Sequence, residues 1–392
     1  HHGRYRATHS TRSRQLLTEL VPALLEALSH TANSDEAFIR FDDFLSGLPT
    51  GIQLFSLFHA HPELLSLVAE IMGTAPRLAA HLSRRPILLD LLLSSGEAEA
   101  PPDPTELSTS LTAALTQARD YQDILDIARG WAGDRQFEIG VRQMQGRLDA
   151  VVAGHARSDI ADAAVQGLLP HVAAEFAEAH GAIPGGRFCI LGLGKLGGRE
   201  LSATSDLDLV FVYDADPDAK QSDGPRPLSV SHYQARFAQR LFNALTVPTA
   251  EGKLYEVDMR LRPAGSKGPL ASSFEAFVDY QKNQAWTWEQ MALTRARFIA
   301  GDGALGEQVM AVIHETVCRE RDPDALVANV ADMRARIAKE RKADTIWHSK
   351  NVRGGLIDLE FIAQYLILCH AHDHPEILST NTAEAYERLA AA

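Results

Sequence analysis

The stretch ILGLGKLGGRELSATSDLDLVFVYD, Ile190 to Asp214, constrains this 392-residue chain more than any other. Gly192, Gly194 and Gly197 spell GxGxxG after an apolar run, the pattern of a dinucleotide-binding turn. Such a turn opens a helix of about three turns, then a second parallel strand with an acid about 20 residues past the glycines. Here only seven residues, RELSATS, separate Gly198 from Asp206. They leave room for at most about two helical turns at ~3.6 residues each. Asp214 falls near the expected acidic position, but a dinucleotide site gives no reason for Asp206 and Asp208 to open the second apolar run.

Alternate residues of a strand share a face, so Asp206 and Asp208 point one way, about 7 Å apart, while Leu207 and Leu209 point the other. Hard carboxylates spaced like this suit one or two Mg²⁺ ions. A third acid is expected from a later strand, LYEVDMRLRP, where Asp258 alternates with Val257 and Met259 and shares its face with Glu256, Arg260 and Arg262. Carboxylates for metal beside guanidinium groups for phosphate are the mixture that nucleotidyl transfer needs. Gly194, Gly197 and Gly198 would let backbone amides approach a polyphosphate, with Lys195 nearby. Singly, each feature has an ordinary reading: acids solvating a half-buried strand, or glycines in a turn. Their coincidence in one module favours a metal-dependent nucleotidyltransferase over a dinucleotide-binding oxidoreductase.

Around this module the texture is helical. SRQLLTELVPALLEALSH sets Leu16, Leu17, Leu20, Leu24, Leu25 and Leu28 at helical spacings. Similar runs continue to about residue 180, interrupted by a polar stretch from Glu97 that reads as an exposed loop. The runs STSLTAALTQARDYQDILDIARGWAG and RQFEIGVRQMQGRLDAVVAG predict two helices, with a further one from about Arg157 to His180. Past the polar loop 215–228, SHYQARFAQRLFNALTV reads as a helix between the second and third strands. From about Ser272 onward the chain reads as helix again, including SFEAFVDYQKNQAWTWEQMALTRARFI, ALVANVADMRARIAKERK and IDLEFIAQYLILCHAH.

A net charge of -13 argues against unspecific binding to nucleic acid. Apolar residues make up 45% of the chain, yet no run reaches the ~20 residues of a membrane span and no signal peptide is apparent. Cys189, Cys318 and Cys369 are widely spaced in or beside apolar or helical segments, which suggests reduced thiols and a cytoplasmic location.

Three segments carry a family resemblance: LGLGKLGGRELSATSDLDLVFVYD, LYEVDMRLRPAGSKGPLASSFEAFVDYQKNQAWTWEQMALTRARFIAGD, and GGLIDLEFIAQYL. They closely resemble bacterial glutamine synthetase adenylyltransferases, from about Gly181 to His372, and the helical lead-in from about Gln53 also fits. The resemblance implies an α+β architecture, predominantly α overall. A polymerase-β-like nucleotidyltransferase module over 181–280 would be flanked by a helical lead-in over 1–180 and a helical domain over 281–392, the latter expected to be incomplete. Members carry two such modules. One transfers AMP from ATP to a tyrosine of glutamine synthetase and releases pyrophosphate; the other removes the AMP by phosphorolysis.

This chain has one D-x-D module, so it resembles half of such an enzyme, and DYQKNQAWTWEQMALTRAR resembles the C-terminal, adenylylating half. Carried over, Asp206, Asp208 and Asp258 match the catalytic, Mg²⁺-binding acids. Gly197 and Gly198 match the glycine pair near the ATP phosphates, and Arg260 and Arg262 match the arginines of RLRP. The implied reaction is in-line attack of the tyrosine oxygen on the α-phosphorus, under control of glutamine status and the PII signal protein. The alternatives are the adenylyl-removing reaction and a non-catalytic scaffold that docks PII or a partner module.

Some residues carry no assignment. Asp358 and Glu360 are two apart, hence on different faces of a helix, and Arg353 beside Gly354 and Gly355 could contact phosphate or a loop carbonyl. His370, His372 and His374 would be scattered around a helix axis, and Trp286 and Trp288 read as packing anchors.

Overall fold

The computed structural model describes residues 5–48, 50–94, 100–341, 345 and 347–392. The expected loop from Glu97 and the basic run ending at Lys342 lie partly outside the described residues. The chain forms two compact units, one of 1–101 with 133–153, the other of 102–132 with 154–392.

The first unit is helical. Its opening helix, Thr11–Ser29, starts at Ser10, whose side chain accepts a hydrogen bond from the amide of Ser13. It buries Leu16, Leu20, Leu24 and Leu28, one row at every fourth residue. Leu25, expected in the same stripe, is exposed instead. This row packs with Phe41, Phe44, Phe55 and Phe58 from the next two helices, Ser34–Gly47 and Ile52–Ala60.

The second unit is built on a five-stranded mixed sheet. Strand β1 (Arg187–Leu193) lies antiparallel to β2 (Leu207–Asp214), with Leu193 opposite Asp208. Strands β3 (Val257–Asp258) and β4 (Ala271–Ser273) both run parallel to β2. Strand β5 (Arg297–Gly301) runs antiparallel to β1 on its other side. The link between β1 and β2 holds one helical turn, Gly194–Gly197. A dinucleotide-binding turn requires its two strands to be parallel. The antiparallel β1–β2 pair therefore removes that reading.

Side chains alternate cleanly along β1 and β2. Ile190, Leu207, Leu209 and Phe211 form one apolar cluster with Val165 and Leu168 of helix Ala150–His180 and Phe237 and Leu241 of helix Val230–Thr246. Cys189, Leu191, Leu193, Val210 and Val212 form the other with Phe277, Met291, Val309 and Ile367. These come from helices Phe274–Asn283, Thr287–Leu293, Gly303–Val317 and Leu356–His370. Burial in the second cluster pushes the Cys189 thiol up to about 12, so it is an inert core group.

Several predicted elements differ. The long helical reading from Ser272 to Ile299 breaks into strand β4, two short helices and strand β5. The expected helix break near Gly133 is absent, and Tyr121–Met144 runs unbroken. A Cβ at Gly133 would fall 2.4 Å from the His81 ring, so this mid-helix glycine answers a close side-chain approach. The third strand is two residues long, not the extended run suggested by LYEVDMRLRP. Helices Val230–Thr246, Pro323–Glu340 and Leu356–His370 match their predicted runs. Among the described residues no helix is long and apolar enough to cross a membrane.

Candidate active site

The sheet assembles the acids. Asp208 is the second residue of β2 and stands directly opposite Asp258 of β3 in the parallel register. Asp206, exposed, precedes the first residue of β2. Asp208 lies on the same side of β2 as Val210 and Val212, facing the helices of the second cluster. Burial, added to the charges of Asp258 and Asp206, pushes the Asp208 carboxyl up to about 6, against the pull of Arg295 and Lys350. Acids gathered at the ends of two adjacent strands are costly in an apo fold, because a neighbouring carboxylate raises the cost of ionising another.

Arg260 takes up part of that charge. Its backbone amide donates to Asp258 Oδ1 at 2.8 Å, and its Nε donates to Oδ2 at 2.8 Å. Burial alone would raise the Asp258 carboxyl, but these hydrogen bonds from Arg260 hold it below the usual carboxylate range. Arg260 itself is largely exposed, with 68% of its side chain accessible, so it can exchange Asp258 for another anion. Among the described residues no three acid, histidine or cysteine groups are already spaced around one point for a metal. Both oxygens of Asp258 are engaged by Arg260.

The glycines have separate tasks. Gly194 has φ of +52°, and a Cβ there would fall 2.2 Å from Asp208 Oδ2. It is the residue that lets the Asp208 carboxylate lie against the turn. A Cβ on Gly197 would meet the Arg295 carbonyl oxygen at 1.7 Å. On Gly198 it would meet Arg295 Nη2 at 2.4 Å and the Thr380 carbonyl at 2.7 Å. These two glycines are thus demanded by packing before any ligand is considered. Lys195, between them and Gly194, is half-buried and has no ion pair among the described residues.

Arg262 faces inward. It is buried, and it donates to the carbonyls of Met259 at 2.7 Å, Pro269 at 2.9 Å and Gly268 at 3.1 Å, closing the loop after β3. Because β3 ends at Asp258, strand alternation does not continue, and Arg260 and Arg262 do not share its face.

The family model for glutamate-ammonia ligase adenylyltransferases matches residues 65–312. The chain belongs to that family. It is 51% identical over 391 residues to the bifunctional glutamine synthetase adenylyltransferase/adenylyl-removing enzyme of Mesorhizobium japonicum, covering 100% of this chain and 40% of the relative. The enzyme of the same description from Agrobacterium fabrum is 47% identical, again over 100% of this chain and 40% of its own length. That of Bradyrhizobium diazoefficiens is 43% identical over 99% and 39%. The chain thus spans about two fifths of the length of these curated relatives.

Against this adenylyltransferase-family background, two arginines stand out that motif reasoning did not assign. Arg295 is buried, with 5% of its side chain accessible, and it pairs with Glu200 at 2.6 Å and Glu360 at 3.5 Å. Arg297 grips Asp162 of helix Ala150–His180 through both Nη atoms and donates to the Leu196 carbonyl at 3.0 Å. It thereby ties the glycine turn to the helix behind the sheet. Both arginines stand in the run ALTRARFI of the family segment, but their roles depend on partners far away in sequence. Asp358 is likewise structural, clasped by Arg334 and by the Gly354 amide. Trp286 is 71% exposed and is not the packing anchor expected of it.

Removing one partner of a buried ion pair leaves the other charge stranded. Asp162→Ala is accordingly expected to lower the unfolding free energy by about 3 kcal/mol in urea titrations. An unchanged urea midpoint would contradict the clamp between Arg297 and the glycine turn.

Proposed function

We propose that this chain carries the AMP-transferring centre of a glutamine synthetase adenylyltransferase: it moves AMP from ATP to a tyrosine of glutamine synthetase and releases pyrophosphate. The observation that carries this reading is the convergence of Asp206, Asp208 and Asp258 at the ends of two adjacent strands, beside a glycine turn whose lysine has no ion pair among the described residues. The donors fit Mg²⁺, since all are hard carboxylate oxygens whose crowded charge a divalent ion would relieve. Asp206, Asp208 and Asp258 would hold it. When bound, magnesium supplies charge neutralisation at the phosphates and lowers the pKa of the attacking hydroxyl.

The chain's own residues do the rest. Arg260, accessible and hydrogen-bonded to Asp258, can turn to the polyphosphate and leave Asp258 free for metal. Lys195 offers a second cation at the turn. Gly194 keeps Asp208 seated against that turn, so the reacting groups meet with little rearrangement. Regulation by PII and by glutamine, and a cytoplasmic location, belong to the same reading.

The test is transfer of label from α-labelled ATP to unmodified glutamine synthetase with Mg²⁺, by this chain and by its Asp206→Asn, Asp208→Asn double variant. Label on a tyrosine, lost in the variant, is expected. Phosphate-dependent release of ADP from modified glutamine synthetase, without forward labelling, would replace the proposal with the adenylyl-removing reaction. Binding of PII with neither activity would point to a docking scaffold.

A further inference from the structure

A cavity of about 210 Å³ opens beside the acids, with Gly194 on its lining. Its wall is apolar and aromatic: Trp288 and Met291 from one helix, Ile337 from a second, Phe361 from a third. Sites that enclose a drug-sized ligand run to about 300–1,000 Å³. This cavity is therefore sized for a ring system and not for a whole nucleotide.

Two polar side chains, Glu360 and Gln364, line it from successive turns of helix Leu356–His370. At i and i+4 they lie on the same helix face. Glu360 is occupied with Arg295, which also lines the cavity. Gln364 is half-buried, and its carboxamide has no hydrogen-bond partner among the described residues. A carboxamide on an otherwise apolar wall can accept through its oxygen and donate through its nitrogen at once.

We propose that this cavity receives the adenine ring of the nucleotide and that Gln364 reads it. The inference rests on the nucleotidyl-transfer reading above and adds the base specificity of the same site. A carboxamide matches adenine in both directions, its oxygen accepting from the N6 amino group and its nitrogen donating to a ring nitrogen. Guanine presents two acceptors, O6 and N7, on the corresponding edge and leaves the Gln364 oxygen unpaired. Trp288 and Phe361 provide π surface for stacking, which is worth having for any base. The competing occupant, the ring of the target tyrosine, fits less well. Its one polar atom must sit at the acids to react, so nothing on the ring would satisfy Gln364. Gly194 joins the two subsites, because it lines the cavity and also abuts Asp208 Oδ2.

The experiment is equilibrium binding by calorimetry, with Mg²⁺, of ATP, GTP, purine riboside triphosphate and inorganic tripolyphosphate to the whole chain and to Gln364→Met. The wild type is expected to prefer ATP over GTP, and Gln364→Met to lose about 10- to 100-fold of that preference, the range for one bidentate base contact. Tripolyphosphate binding should be unchanged. Purine riboside triphosphate, which lacks the amino group, should bind the wild type about as weakly as ATP binds the variant. As a check independent of any substitution at 364, Trp288→Leu should weaken ATP without weakening tripolyphosphate. Full retention of the ATP preference in Gln364→Met, with ATP and tripolyphosphate both binding, would overturn the base pocket and leave the nucleotidyl-transfer reading intact. Failure of both ligands to bind the wild type would overturn the two together.

Discussion

Asp208→Asn is expected to abolish AMP transfer while making the protein harder to unfold. The first effect follows from the proposed chemistry: a carboxylate that holds magnesium against the phosphates contributes several kcal/mol to the transition state, so its loss should cost about 10³-fold in rate. The second follows from the apo electrostatics. Burial and the charges of Asp258 and Asp206 push the Asp208 carboxyl from an ordinary 3.8 up to about 6, so the folded state penalises its ionised form. By linkage, the folded state gains full benefit from the proton below about 3.8 and loses it as the pH rises through about 6. At pH 8 the wild type therefore carries the whole penalty, on the order of 3 kcal/mol, which a neutral asparagine removes.

Thermal melts should show the variant above the wild type at pH 8, with the gap narrowing toward pH 4. Added Mg²⁺ should raise the wild-type melting temperature more than that of the variant. Asp258 gives the opposite sign. Its carboxyl is held below the usual range by Arg260, so Asp258→Asn should cost stability at neutral pH. A variant at 208 that melts lower than wild type at pH 8, or that still transfers AMP at the wild-type rate, would refute the assignment of Asp208.

What was legible in the sequence was the part governed by local pattern. The alternation in β1 and β2, the short spacer and the D-x-D at the strand start were enough to reject a dinucleotide site and to put Asp206 and Asp208 where β2 begins. What escaped was set by tertiary partners. Strands β4 and β5 are three and five residues long and exist because β2 and β1 offer them open edges. Their sequences, ASS and RFIAG, carry little periodicity, and so they vanished into a helical-looking run. Extending β3 past Asp258 placed Arg260 and Arg262 on one face. Instead the chain turns, Arg260 folds back on Asp258, and Arg262 holds the loop carbonyls. The buried Arg295 could not be told from a surface arginine, since its partner Glu200 is 95 residues away. Helix Ala150–His180 reads as part of the helical lead-in, yet Val165, Leu168 and Val172 complete the core on one face of the sheet.

The glycine turn supplies the second large effect, because neighbouring glycines should fail in different ways. At Gly194 a methyl group meets Asp208 Oδ2 at 2.2 Å, the far end of a side chain that can rotate away. The positive φ adds about 1 kcal/mol of strain for alanine. Gly194→Ala should therefore fold, melt close to wild type, and lose about 100-fold in transfer rate, the cost of moving a catalytic group by about 1 Å. At Gly197 the obstacle is backbone on two sides, the Arg295 carbonyl at 1.7 Å and the Gly192 carbonyl at 2.7 Å. No rotamer can yield there. Either the turn or the segment leading into β5 must move, at a cost of about 3 kcal/mol or more. Gly197→Ala should accordingly show a much lower urea midpoint, with transfer lost through unfolding. The two variants compared side by side, by urea titration and by labelled AMP transfer, separate seating of the acid from integrity of the turn. Wild-type transfer by a folded Gly194→Ala would mean that the position of Asp208 against the turn is dispensable, and the proposed site would lose its geometric basis.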